Sequence, residues 1–246
     1  MVTTPFRPIQ GRRIFEEILD QLEQAILDGH ISAGDRLPSE RELAQQFGAS
    51  RASVREAVRV LEALGVLKVR VGAENGAVLV EEPADALQLL LRFQLALRHI
   101  SIESVIEFRT VVEPWTAAAA SERASAASIA RMGEVLEAMS GDVEQERFHQ
   151  LDSSFHLEIA RAADNELMAL VLEGARTSIE RIMLDALGRV GDWPAARATI
   201  LHEHTEIFSA VQGRRGEEAA QLMERHIAAF YDGVGFTRPK QVRSAL

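Results

Sequence analysis

The apolar positions of this chain change period twice, and the changes divide it. From residue 14 to residue 64 they recur every three or four residues, as on helices with one buried side. Ile14, Ile18, Leu22 and Ile26 stand four apart, with Phe15, Leu19 and Ala25 adjoining, and predict an amphipathic helix ending near Gly29. Ser39 and Glu42 have the S-x-x-E spacing of a capping box. A second helix should therefore start just after Pro38, with Leu43, Ala44 and Phe47 on its apolar side and Gly48 at its end. Ser50 is a suitable N-cap for a third helix, where Val54, Ala57, Val58, Leu61 and Leu64 form the inward stripe. After Leu67 the period shortens to two. Lys68 to Val71 and Ala77 to Val80 read as strands around a turn at Gly72–Gly76, and so predict a β-hairpin.

Glu81, Glu82 and Pro83 read as a linker, and beyond it helical spacing returns. Short breaks separate helices expected over about 84–98, 101–121, 125–139, 144–162, 165–189, 194–212 and 215–232. A region this long with helical spacing throughout should form a bundle. Pro114 falls inside one of these helices and is expected to kink it. The predicted fold is mainly α. An arm (1–11) precedes a three-helix-plus-hairpin domain (12–80), a linker (81–83), an all-α domain (84–232) and a tail (233–246).

The polar face of the third helix changes the picture. Arg51, Ser53, Arg55 and Arg59 lie opposite its apolar stripe. Arg can bond guanine through two donors and Ser can reach bases or phosphates, so a short helical pair with such a start can read a major groove. An ordinary helical hairpin with a solvated basic face has the same pattern. Net charge is −10 over 246 residues, which taken alone argues against nucleic acid. The distribution matters more. From Arg36 to Arg70 there are seven basic and four acidic residues, a locally basic face on an acidic protein. Arg7 of the arm and Arg12 and Arg13 just after it are further candidates for phosphate contact. There is no cysteine, so disulfides and thiolate metal sites are excluded. No apolar run approaches the ~20 residues of a membrane span, and no signal-peptide pattern is present; a soluble intracellular protein is expected.

The runs L-P-S-E-R-E-L-A (37–44), S-R-A-S-V-R-E-A (50–57) and L-E-A-L-G-V-L (61–67) resemble the winged helix-turn-helix signature of GntR-family bacterial transcription regulators, over roughly Ile14 to Val80. The resemblance implies a cytoplasmic, sequence-specific regulator, nucleoid-associated when bound, and a repressor before an activator. It implies a homodimer on a palindromic operator, with Arg41, Ser50, Arg51, Ser53 and Arg55 at the DNA and Gly72 and Gly76 in the wing. This chain departs from its relatives at the wing tip. Ala73, Glu74 and Asn75 stand where Gly or basic residues are frequent, and Glu74 would be repelled by phosphate. Specificity should therefore concentrate on Arg41, Arg51 and Arg55.

The later helices carry a second constellation. Asp152 and His156 are one helical turn apart. His204 lies in the stripe Ile200–His204–Ile207–Phe208–Val211, and His226 in Ala219–Leu222–His226–Phe230. Imidazole and carboxylate donors on three apolar faces suit Zn²⁺, Ni²⁺, Mn²⁺ or Fe²⁺. By spacing alone each His could equally be a core residue with one hydrogen bond. The bundle also resembles the FCD effector domain of the FadR-like GntR branch, in the segments LDSSFHLEIARAADN, HEHTEIFSAV and MERHI. That resemblance makes Asp152, His156, His204 and His226 ligands of a divalent metal, zinc first. It makes Arg109, and with it Asn165, contacts of a small carboxylate effector. Acyl-CoA-sensing relatives lack the metal ligands, so a long acyl chain is not expected here. Arg109 could otherwise pair with Glu113 at the surface, and Asn165 could otherwise cap a helix. His149 could line the pocket; His202 lies off the inward stripe. Two other readings use the same residues. In a metal-dependent hydrolase Glu158 or Glu203 would have to serve as base, and neither shares the ligands' face. A regulator with a purely structural metal would sense nothing.

Overall fold

The computed structural model describes residues 14–70, 76–80, 86–188 and 191–233. The arm with Arg7, the adjoining Arg12 and Arg13, the wing tip with Gly72, Ala73, Glu74 and Asn75, the linker residues Glu81 to Pro83 and the tail beyond residue 233 lie outside the described residues. The chain divides into two compact units, one up to Ala86 and one from Leu87 onward.

In the first unit α1 spans Ile14–Leu27, α2 Glu40–Gln46 and α3 Arg51–Ala63, followed by β1 (Leu67–Arg70) and β2 (Gly76–Leu79). The capping box is complete: the Ser39 hydroxyl accepts from the Glu42 N–H, and the Glu42 carboxylate accepts from the Ser39 N–H. Gly48 has φ +60°, the left-handed conformation that ends a helix at low cost when no Cβ is present. Ser50 caps α3 through the Ser53 N–H. β1 and β2 pair antiparallel, Leu67 opposite Leu79. The loop before α2 adds to them: the Leu37 N–H donates to the Ala77 carbonyl at 2.9 Å, and Arg36 bridges Val78. Periodicity gave no hint of this third strand-like segment, because its partner is remote in sequence. Ile18, Leu22, Leu43, Val54, Ala57, Val58, Leu67 and Leu79 close one small core. Leu64 and Ile14 do not join it; they are 56% and 59% exposed. Leu64 sits at the C-cap of α3, roughly a quarter turn round from Val54 at ~100° per residue, so it leaves the buried arc.

The second unit is a helical bundle: α4 (Ala86–Ala96), α5 (Ile102–Arg123), α6 (Ala126–Ser140), α7 (Gln145–Ala162), α8 (Glu166–Leu187), α9 (Trp193–Gln212) and α10 (Gly216–Gly233). Ser101, Ser125, Asn165 and Asp192 cap α5, α6, α8 and α9. α5 continues through Pro114, and it packs against α7, α8, α9 and α10. Its inward face is built from Ala117, Ala120 and Ser121, small enough for α10 to come close. At Gly216 a Cβ would lie 2.9 Å from the Ser121 Oγ, so any larger residue would force that buried hydroxyl to shift. Phe148, Phe155, Ile159, Ile207, Met223 and Ile227 fill the core around the polar centre described next. On α10 the buried line is Ala219, Met223, His226, Ile227 and Tyr231, whereas Leu222 and Phe230 are only half-buried. The expected stripe was displaced by about one residue, because Tyr231 turns inward to meet α5.

Candidate functional site

The inward faces of α5, α7, α8, α9 and α10 each deliver charged or imidazole side chains to one point. α7 supplies Asp152 and His156, α9 supplies His204 and α10 supplies His226. One ligand atom from each lies within 4.8 Å of all the others. His204 Nε2 is 3.1 Å from His226 Nε2 and 3.4 Å from Asp152 Oδ1; His156 Nε2 is 3.8 Å from the same oxygen. His156 Nε2 is buried and has no hydrogen-bond partner among the described residues. Polar atoms shut away from water normally have partners, so three Nε2 atoms converging on one oxygen fit a cation between them.

The outer nitrogens are oriented by carboxylates. Glu203 Oε2 lies 2.7 Å from His226 Nδ1, and Glu113 pairs with His156 Nδ1. Carboxylates behind ligating imidazoles fix the ring and raise its basicity. Phe155 stacks on His204 with ring centroids 4.6 Å apart. Glu203 thus does reach the cluster, contrary to the expectation from its helix face; it does so from the edge, beside the ring of His226.

Two arginines complete the centre. Arg109 is not at the surface. It is 6% exposed, and it donates to Glu113 and to the Tyr231 hydroxyl. Arg176 Nη2 donates to Asp152 Oδ2 at 2.7 Å, and its Nη1 lies 3.4 Å from both Glu113 oxygens. Glu113, Arg176 and Tyr231 were not singled out as site residues in the sequence. A trace of two of them was there. Arg176 falls in the apolar stripe Leu172–Arg176–Ile179–Met183, and Glu113 in Ile106–Arg109–Glu113–Ala117, positions where a charge needs a buried partner. His149 is buried and lines the small cavity at the centre, together with Arg109, Asp152, Arg176, Met183 and Phe230. Asn165 does not; its side chain caps α8 by accepting from the Met168 N–H at 3.0 Å. His202 is at the surface beside Glu206.

Burial sets the protonation states. It pushes the His156 pKa down to about 4, with the Arg176 charge adding to the effect, and it holds His204 well below its ordinary value, helped by His226. Asp152 and Glu113 are driven the other way from what burial favours: Arg176 and His156 hold Asp152 low, and Arg109, His156 and Arg176 hold Glu113 low. Neutral imidazole beside ionised carboxylate is the state that binds a metal. The sign for stability follows. The unfolded chain takes up protons near pH 6.5 that folded His156 and His204 refuse, so folding is favoured above that pH. The metal-free protein should therefore lose stability steadily as pH falls from about 6.5 to about 4, with further loss as Asp152 and Glu113 protonate. Urea unfolding at a series of pH values checks this; a flat profile across that window would contradict buried neutral histidines.

On the first unit Arg41, Arg51, Arg55 and Arg59 are all exposed. Arg55 Nε is 3.2 Å from Glu40 Oε2, both side chains about half in water, so this pair is weak and can be exchanged. Ser50 and Ser53 bond each other at 3.0 Å and start the helix. Gly76 has a packing reason: a Cβ there would lie 3.0 Å from Arg36 Nε.

A winged pair of helices followed by an all-α bundle with a buried Asp–His₃ centre defines a DNA-binding regulator with an effector domain. The chain matches the FCD domain over residues 104–229 and the gntR family of bacterial regulatory proteins over residues 14–74. It belongs to the GntR family, in the branch carrying an FCD domain. Among curated relatives, it is 27% identical over 213 residues to the HTH-type transcriptional regulator LutR of Bacillus subtilis, covering 84% of this chain and 94% of LutR. It is 28% identical over 221 residues to the galactonate operon transcriptional repressor of Escherichia coli, covering 87% and 93%. It is 24% identical over 224 residues to the Glc operon transcriptional activator of that species, covering 89% and 87%. The solved structure of a Streptococcus agalactiae GntR protein shares the fold, with a TM-score of 0.65 and 24% identity over 87% of this chain and 97% of that one. The chain is a DNA-binding transcriptional regulator and not an enzyme.

Proposed function

We propose that this regulator holds a divalent metal through Asp152, His156, His204 and His226, and that a small carboxylate meeting the metal and Arg109 alters its grip on a palindromic operator. The observation that carries the reading is the convergence of four donor atoms within 4.8 Å, with His156 and His204 held neutral. Zinc suits this donor set best, and nickel, manganese or iron(II) would also accept it. When bound, the ion supplies a Lewis-acidic centre for an anionic oxygen. Glu113 and Glu203 orient two of the imidazoles. A relative named for a galactonate operon supports an acidic effector, because galactonate is itself a carboxylate.

In the described arrangement Glu113 occupies the guanidinium of Arg109, so an incoming carboxylate would compete with it. An effector changes DNA affinity only by binding two bundle arrangements unequally. A homodimer would give two recognition helices for two half-sites. Leu89, Leu90 and Phe93 of α4 and Leu97 just after it, all exposed, supply an apolar surface for pairing. No helix among the described residues is long and apolar enough to cross a membrane, and the proposed location is the cytoplasm, on the nucleoid when bound. One observation favours a purely structural metal instead. The central cavity measures about 10 Å³, room for a single water.

Gel shifts on the operator test the whole reading. Arg51→Ala and Arg55→Ala should each cost about 1–3 kcal/mol on the specific site. A panel of small carboxylates should change wild-type affinity in the presence of metal and leave it unchanged after chelation. Undiminished binding by both arginine variants would remove α3 from the groove. Indifference to every acid, with metal bound, would leave the structural-metal reading.

A further inference from the structure

We propose that Arg176 restricts Asp152 to ligation through one oxygen, and so keeps two coordination positions open for an effector that binds through two atoms. The proposal rests on the metal reading above. The two oxygens of Asp152 stand in different surroundings. Oδ1 faces the imidazoles, 3.4 Å from His204 Nε2 and 3.8 Å from His156 Nε2. Oδ2 accepts from Arg176 Nη2 at 2.7 Å. Arg176 cannot readily swing aside. It is 7% exposed, and the same guanidinium lies 3.4 Å from both oxygens of Glu113 and 3.4 Å from the Ser153 hydroxyl. A guanidinium keeps its charge under all relevant conditions and holds its donors in a rigid fork, and bonds between opposite charges are the stronger kind. An ion at the centre that recruited Oδ2 would compete with Arg176 for that oxygen and weaken a charge-assisted bond to a buried guanidinium.

The consequence is one of counting. A metal that takes six donors keeps two positions free beside three imidazoles and one carboxylate oxygen. With both oxygens of Asp152 engaged it keeps one. Two free positions accept a carboxylate together with a neighbouring hydroxyl; one accepts a single oxygen. Arg176 is thus a positioning residue that selects for hydroxy acids over simple carboxylates without having to touch either.

Cobalt(II)-loaded full-length protein, titrated with acetate and with glycolate while its visible absorption band is followed, tests this. Each acid has one carboxylate, and glycolate adds one adjacent hydroxyl. The wild type should bind glycolate at least about 10-fold more tightly than acetate, as a tethered second donor allows. In R176M and R176Q the ratio should fall to about one, and R176K, which keeps a charged donor, should retain the preference. If R176M does not fold, R176Q and R176K decide. An unchanged ratio in the variants lacking the charge overturns the proposal. So does equal weakening of both acids, which would make Arg176 an anchor for the anion instead, and so does loss of the preference in R176K. A wild type that takes up no cobalt overturns the metal reading itself, an outcome distinct from all of these.

Discussion

The double variant H204A/H226A is expected to purify without divalent metal, where the wild type carries about one equivalent per chain. The size of the effect follows from geometry. His204 and His226 supply two of four donors, their Nε2 atoms stand 3.1 Å apart, and only Asp152 and His156 of the group would remain without them. A metal whose binding is coupled to folding stabilises the native state by about 4 kcal/mol when present at a thousand times its dissociation constant. The wild type should therefore melt lower after chelation, and the double variant should not respond to chelator at all. Both rings are buried, so H204Q/H226Q, closer in volume, separates loss of a ligand from loss of packing. Elemental analysis of the purified proteins reads the outcome. Full metal occupancy in the double variants would show that the ligands lie elsewhere.

The second large effect concerns Glu113, which binds no metal in this reading. E113L should destabilise the metal-free protein by about 3–5 kcal/mol, the usual range for removing one partner of a buried charge pair. Glu113 is 1% exposed and stands against Arg109, Arg176 and His156, so its removal leaves two guanidinium groups without their shared anion. Such a loss is a large part of the ~5–15 kcal/mol that holds a typical domain. Arg131 and Glu158 make a useful control. Their pair is 2.8 Å long, but the arginine side chain is 51% exposed, and E158Q should cost no more than ~1 kcal/mol. Urea unfolding curves for both variants decide the matter. Equal, small losses would mean that the Glu113 network is as well solvated as a surface pair.

How far these features were legible depends on the distance over which each is determined. The helices of the bundle could be read nearly to their ends, because caps such as Ser101 and Ser125 and left-handed breaks at Asp164 and Arg214 act within one turn. The capping box at Ser39 and Glu42 was readable for the same reason. Asp152 and His156 could be paired from spacing, since they share a helix. Asn165 showed both a cap and a pocket residue, and the cap is what the fold uses. Arg109 and Glu113 could be matched as i, i+4 partners, but not placed inside the bundle. The helical repeat says which residues share a side and leaves open what covers that side.

The sequence by itself pointed to a winged DNA-binding unit followed by an all-α effector unit, the family, the basic face of α3 and, through the family resemblance, four candidate metal donors. Local hydrogen bonding and side-chain period govern the division and the basic face; the motifs carry the family, and the resemblance to the FCD domain carries the four candidate donors. Only the tertiary structure decided that the four donors meet at one point, that Glu203 and Glu113 stand behind two of the rings, and that Arg176 reaches across from α8 to Asp152. The contacts of Glu203 with His226, of Arg176 with Asp152 and of Arg176 with Glu113 join residues 23, 24 and 63 positions apart. They exist because burying five helices around one core leaves their charged groups no water, and each must find its partner on another helix.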